Sequence, residues 1–347
     1  MENQVTVAAG GYDPAGIATL VYDPMADQLR LVGHSREVTN ASYGAHDPKR
    51  RVWFFVEERD QGALVVARPH GSFGWRRLAR ASSGGEAPCF VSLHPKGGFA
   101  AVANYASGSV SLLKITGGEG EPGPAIWVHT DSGSGPDRER QDGPHVHCAR
   151  FYGGRLYHTD LGTDEVVVHD FEEAAATLSN RRIALRVDDG QGPRHILFHP
   201  TLEVAWLLTE LGSCIYTLRV AEDGLLHTIG KTKTLAQSPR GNLGGHIELD
   251  AAAMRLYVSN RGDDSITTFK VDPAGELTRL GSISVGSASP RHFVLLEHVG
   301  RMLVACEEGG EVVCMPIMSD GGIGAPTCRA EVPKAAFVVA LDDHSRL

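Results

Sequence analysis

Gly192-Pro193-Arg194-His195-Ile196-Leu197-Phe198-His199-Pro200 has a counterpart downstream in Ser289-Pro290-Arg291-His292-Phe293-Val294-Leu295-Leu296. Two upstream copies read Ala87-Pro88-Cys89-Phe90-Val91-Ser92-Leu93-His94-Pro95 and Gly143-Pro144-His145-Val146-His147-Cys148-Ala149. Each copy enters through a proline and continues as a short apolar strand, and two of them stop at a His-Pro turn. A second strand follows and ends at a polar residue before a turn. Those ends are Glu57, Asn104, Asp160, Glu210, Asn260 and Glu307, about fifty residues apart, a period that belongs to repeat folds. A third strand comes next, as in Ser109-Val110-Ser111-Leu112-Leu113 or Ser265-Ile266-Thr267-Thr268-Phe269, and a fourth, less regular one closes the unit, as in Leu277–Ser284. The apolar runs alternate or are continuous over a few residues and show no 3.6-residue spacing, so the repeat is built of strands.

Four short antiparallel strands per period make a propeller blade. The two ends of the chain set the count. Pro333-Lys334-Ala335-Ala336-Phe337-Val338-Val339 restates a first strand with nothing after it to complete a blade, whereas Val5–Tyr12 and Gly16–Leu20 read as second and third strands without a first. Joined, they add one blade to the six internal ones. The expectation is an all-β, seven-bladed β-propeller over residues 1–347, a single domain closed by pairing the N- and C-terminal strands in one blade. Closure removes sheet edges that would otherwise recruit other chains. The longest irregular stretch is expected at Gly117–Gly143.

Composition narrows the function classes. The chain has 347 residues, 41 of them Gly, and a formal net charge of -9. Such a charge disfavours nucleic acid as a partner. No apolar run reaches the roughly 20 residues of a membrane span, and Met1–Val7 lacks the basic and apolar regions of a secretory signal. The six cysteines include no Cys-x-x-Cys pair and read as reduced residues of a cytoplasmic protein. A monomer or homodimer is expected.

In an antiparallel blade the start of the first strand and the end of the second share one edge. Successive blades therefore ring one mouth of the central channel with these residues. At first-strand starts stand His145, His147, Arg194, His195, Arg291 and His292; at second-strand ends stand Glu57, Glu58, Asn104, Asp160, Glu210, Asn260, Arg261 and Glu307. A concave mouth with convergent polar groups is where a small-molecule site is expected.

The strings Ala103-Asn104-Tyr105 with Gly108-Ser109-Val110, Gly192-Pro193-Arg194-His195 with His199-Pro200, Tyr257-Val258-Ser259-Asn260-Arg261 and Pro290-Arg291-His292-Phe293 resemble the seven-bladed lactonase family. That family includes propeller-type 6-phosphogluconolactonases and fungal carboxymuconate lactonizing enzymes. The resemblance implies a lactone as substrate and His147, Arg194, Glu210 and Arg261 as catalytic positions. Arg291, His292, Asn104 and Asn260 are expected to contact substrate. One departure bears on substrate choice: the family's acid-then-His order reads here as Gly245-His246-Ile247-Glu248.

Opening a lactone needs water delivered to a carbonyl carbon and a stabilised oxyanion. His147 or Glu210 is the candidate general base, the imidazole being better matched to neutral pH. Arg194 and Arg261 can hold a carboxylate or phosphate, or face the oxyanion. No Gly-x-Ser-x-Gly nucleophile elbow is present. The channel acids could ligate a divalent cation, but arginines at the same mouth would repel it, so no metal or cofactor is expected. The leading reading is hydrolysis of a sugar-acid lactone, most of all 6-phosphogluconolactone. A muconate-type lactonizing cycloisomerase and a non-catalytic binding propeller remain as alternatives, since fold alone does not separate them.

Overall fold

The computed structural model describes residues 4–12, 16–237, 239 and 241–341. These residues form seven four-stranded sheets, each a simple antiparallel meander. One is representative: Val146–Tyr152, Arg155–Asp160, Glu165–Glu172 and Thr177–Arg186 follow one another in sequence and in the sheet. Second strands such as Val52–Glu57, Phe99–Asn104 and Val204–Thr209 are buried at every position, as their continuous apolar runs require. Fourth strands lie at a sheet edge and are far less covered: Leu277–Ser284 has only half-buried and exposed positions.

The composite sheet joins the first and last strands of the described residues. Ala335–Ala340 pairs with Val5–Gly11, which continues to Ile17–Asp23 and Gln28–Ser35. Its register runs from Val7 opposite Ala340 to Gly11 opposite Ala335, with a shift at Gly10/Gly11. The close backbone approach at this shift requires glycine, since a Cβ on Gly11 would lie 2.2 Å from the Lys334 carbonyl oxygen. Strand closure and the count of seven sheets agree with the sequence expectation. The irregular stretch does not: Glu121–Thr130 within it is a fourth strand. Its two prolines and its exposed alternate positions hide it in sequence, and both are tolerated because an edge strand leaves one side of its backbone unpaired.

The chain divides into two compact units, Met1–Ser42 with Pro69–Arg76 and Lys233–Leu347, and Tyr43–Arg68 with Arg77–Thr232. The first has cores around Leu20, Tyr22, Leu303 and Val338, and around Tyr257, Phe293, Met302 and Val313. The second is cored by Phe90, Tyr157, Val166 and Leu207, and by Val52, Phe54, Leu64 and Val91. Each such buried side chain contributes about 1.5–3 kcal/mol. No helix of the described residues is long and apolar enough to cross a membrane.

Candidate functional site

One backbone device places the candidate side chains. In the sheet starting at Val146, Val146 pairs with Asp160 and Cys148 with Thr159, so His147 is an extra residue. Arg194 is the extra residue between Pro193, opposite Thr209, and His195, opposite Leu208. Cys89 and Arg291 occupy the same place in their own sheets. A bulge of this kind breaks strict alternation and re-aims a side chain. Proline suits the strand start because its missing N–H costs no ladder bond there.

In the second unit the bulges deliver a buried ionic cluster. Glu210 follows Val204–Thr209, and its backbone N–H donates to the Gly192 carbonyl (2.7 Å). Arg194 Nε donates to Glu210 Oε2 at 2.8 Å, and Arg140 Nη2 donates to Oε1 at 2.5 Å. His147 Nε2 lies 4.0 Å from Oε2, beyond a direct hydrogen bond. Arg194 Nη1 also donates to His195 Nε2 (2.8 Å), which makes that nitrogen the acceptor and puts the neutral ring's proton on Nδ1. The His147 ring meets those of Tyr105 and His195 edge-on, at 5.7 and 5.3 Å between centroids. Arg194, Glu210 and His147 are all less than 5% exposed, whereas the Arg140 side chain is 35% exposed.

Arg140 is not among the residues the sequence marks out, and Tyr105 stands there only as part of the string Ala103-Asn104-Tyr105, with no site role. Arg140 belongs to a loop with no counterpart in the repeat, so periodicity carries no signal for it. Gln141 pins that loop, donating to the Leu161 carbonyl (2.9 Å) and accepting from the Asp137 N–H (3.2 Å). Burial works against the charge on Arg140, but the Glu210 carboxylate more than offsets it, raising the guanidinium pKa above its ordinary value. Two guanidiniums sharing one carboxylate leave a net positive charge, a suitable place for an anion.

The remaining expected positions are distributed as follows. Asn104 and Asn260 are wholly buried and play identical parts. Asn104 Nδ2 donates to Ser109 and Ser111 hydroxyls, and Asn260 Nδ2 to those of Ser265 and Thr267. Both amides are thus directed at the adjacent strand. Glu57 accepts from Arg80 (2.8 Å). Asp160 Oδ1 accepts the N–H groups of His145, Gly162 and Thr163 and organises that turn. In the first unit, Arg261 Nη2 donates to the Gly244 carbonyl (2.9 Å) and Arg291 Nη1 to Glu307 (3.1 Å). His292 packs on His246, ring centroids 4.0 Å apart, and the His246–Glu248 pair lies at 4.0 Å. The His-Pro segments are turns, with His199 Nδ1 accepting from the Thr201 and Leu202 N–H groups.

The profile of the family described as "Lactonase, 7-bladed beta-propeller" matches residues 6–340. A 6-phosphogluconolactonase of Bacillus subtilis is 28% identical over 315 residues, covering 89% of this chain and 88% of its own. Among solved structures, a protein from Lactobacillus plantarum is 28% identical, covers 98% of this chain and 100% of its own, and superposes with a TM-score of 0.89. The periplasmic gluconolactonase of Pseudomonas aeruginosa is 25% identical, covers 97% and 99%, and has a TM-score of 0.87.

Proposed function

The chain belongs to the seven-bladed β-propeller lactonases, and from that premise we propose that it hydrolyses the lactone of an anionic sugar acid, 6-phosphogluconolactone foremost, in the cytoplasm. The observation that carries the anionic substrate is the pairing of Arg140 and Arg194 on the single carboxylate of Glu210. Excess positive charge in a chain of net charge -9 is locally concentrated and draws an anion to that place. The names of the relatives support a sugar lactone; they differ over the phosphate, one being a 6-phosphogluconolactonase and another a gluconolactonase.

In this reading His147 is the general base. Both oxygens of Glu210 already accept from arginine, which favours the ionised carboxylate and weakens it as a base. His147 takes a proton from water as the water attacks the carbonyl carbon, and negative charge grows on the carbonyl oxygen. Arg194, fixed by Glu210 and His195, faces that oxyanion. Collapse of the tetrahedral intermediate expels the ring oxygen, which receives the proton from His147. Arg140, the exposed member, meets the substrate's phosphate first. Arg261 and Arg291, which lie in the first unit, are proposed separately as anion-binding residues, each to be tested by its own replacement.

The test is hydrolysis of freshly prepared 6-phosphogluconolactone beside gluconolactone and a muconolactone, each corrected for spontaneous opening and repeated with a chelator. Preferential, chelator-resistant turnover of the phosphorylated lactone is expected. Equal turnover of both sugar lactones removes the phosphate from the proposal. Activity on the muconolactone alone replaces hydrolysis with the cycloisomerase reaction.

A further inference from the structure

Apart from the ionic cluster, the first unit holds two cysteines on adjacent strands. Cys314 lies on Glu311–Pro316 and Cys328 on Cys328–Glu331, and the two are register partners. Residues directly opposite in an antiparallel pair have Cα atoms about 4.5–5.5 Å apart, inside the range of about 4.4–6.8 Å that a disulfide spans. Their Sγ atoms and a carboxylate oxygen of Asp27 all lie within 4.8 Å of one another. Cys314 is buried and Cys328 half-buried, so a reagent reaches Cys328 first. The Asp27 carboxylate accepts from Tyr22 (2.8 Å) and faces Arg301 Nε at 3.4 Å. That guanidinium disfavours a metal cation among the same three donors.

We propose that Cys314 and Cys328 are a thiol–disulfide couple that staples the edge strand Cys328–Glu331 to the rest of its sheet. The oxidant is a low-molecular-weight disulfide. The Cys328 thiolate attacks one of its sulfurs, forming a mixed disulfide and expelling one small thiolate. Cys314, as its thiolate, then attacks the Cys328 sulfur and expels the second. Two protein thiols are oxidised, one small disulfide is reduced to two thiols, and the two protons end on the departing thiolates. The electrostatics suit this order. A hydrogen bond from Cys314 lowers the Cys328 pKa below the ordinary thiol value, and the same bond raises that of Cys314. Thiolate character governs which sulfur attacks first. Cys306, pushed up to about 12 by burial, is a poor competitor.

The experiment treats the full-length protein with oxidised glutathione and counts free thiols after denaturation. A loss of two thiols from the six is expected, reversed by dithiothreitol. Digestion with trypsin and an endoprotease cutting before Asp320 leaves Cys314 and Cys328 on separate peptides, joined only through the new bond. The oxidised protein should melt a few degrees higher, because closing the intervening loop restricts the unfolded chain. Cys328→Ser and Cys314→Ala should each abolish both the linkage and the shift. Retention of all six thiols, linkage of another pair, or a glutathione adduct persisting on Cys328 without closure overturns the proposal. Zinc shielding both thiols from alkylation while the oxidant leaves them reduced overturns it as well.

Discussion

A carboxylate held by two guanidiniums is a unit, and its members do not contribute separately. Glu210→Gln removes the charge that permits Arg194 to be buried at 2% exposure. Breaking one partner of a buried pair costs about 3–5 kcal/mol, so denaturant unfolding should show a loss of that order. Adding Arg194→Met should recover part of it without restoring turnover, because the uncompensated charge goes but the oxyanion contact goes with it. His147→Ala should lower kcat about 10²–10⁴-fold, the usual share of a general base, with little change in KM. Arg140→Ala should do the reverse, raising KM about 10–100-fold for the phosphorylated lactone, the worth of a charge-assisted hydrogen bond, and little for gluconolactone. Equal effects on the two lactones would detach Arg140 from the phosphate. His147, Arg194 and Glu210 are legible in the sequence because each follows a repeated proline or ends a repeated strand. Arg140 is not, since a loop without period gives no register to read. Asn104 and Asn260 are visible as end points, but the hydroxyls that hold them lie on the next strand, and spacing does not say which way an amide points.

The element that carries Arg140 is a loop held at its start by a second buried network. Asp131 accepts from Arg181 (2.7 Å) and pairs with His158 Nε2 (2.6 Å). Burial alone would raise its carboxyl, but His158 and Arg181 more than offset this and hold it well below the usual carboxylate range. A depressed folded pKa means the unfolded chain binds the proton first. Stability from Asp131 is therefore complete above about pH 4 and is lost as pH falls below it. Asp160, close enough to feel the Asp131 charge, has the opposite sign. Burial raises its pKa to about 6, and its Oδ2 is buried with no hydrogen-bond partner among the described residues. Its stabilising contribution is present below about pH 4 and is lost as pH rises through about 6. Asparagine keeps the Oδ1 that serves three backbone N–H groups and carries no charge to desolvate. Thermal melts across pH should thus separate the two replacements. Asp131→Asn should destabilise at neutral pH by about 3 kcal/mol and raise KM through the loosened loop. Asp160→Asn should stabilise near pH 8 by up to about 3 kcal/mol, its advantage vanishing near pH 4. If both variants lose stability in parallel at neutral pH, the opposite signs assigned to these carboxyls are wrong.

At the scale of the whole molecule, the composite sheet joins the two ends of the chain, so its strength is a property of neither end alone. Val5–Gly11 is buried at all but one position and has Ala335–Ala340 on one side and Ile17–Asp23 on the other. Both ends are legible in the sequence because each carries a fragment of the same repeat that only the other completes. How tightly the backbone packs around this strand is not legible there: a Cβ on Gly10 would stand 2.1 Å from the Ala41 carbonyl oxygen, and one on Gly11 2.2 Å from that of Lys334. Both obstacles are backbone, which cannot turn aside as a side chain can. Gly11→Ala should therefore cost about 1–3 kcal/mol, the ordinary penalty of overpacking, and lower the melting temperature by several degrees. Removing residues from Pro333 onward is the stronger test. It exposes an apolar edge strand with unpaired N–H and C=O groups, the template on which chains associate. The truncated chain should lose its cooperative melt and form aggregates that light scattering detects, whereas Gly11→Ala should melt cooperatively at its lower temperature. A truncated chain that stayed monomeric and melted as sharply as the full-length protein would mean that the sheet stands without its terminal strand, and that closure contributes little to the fold.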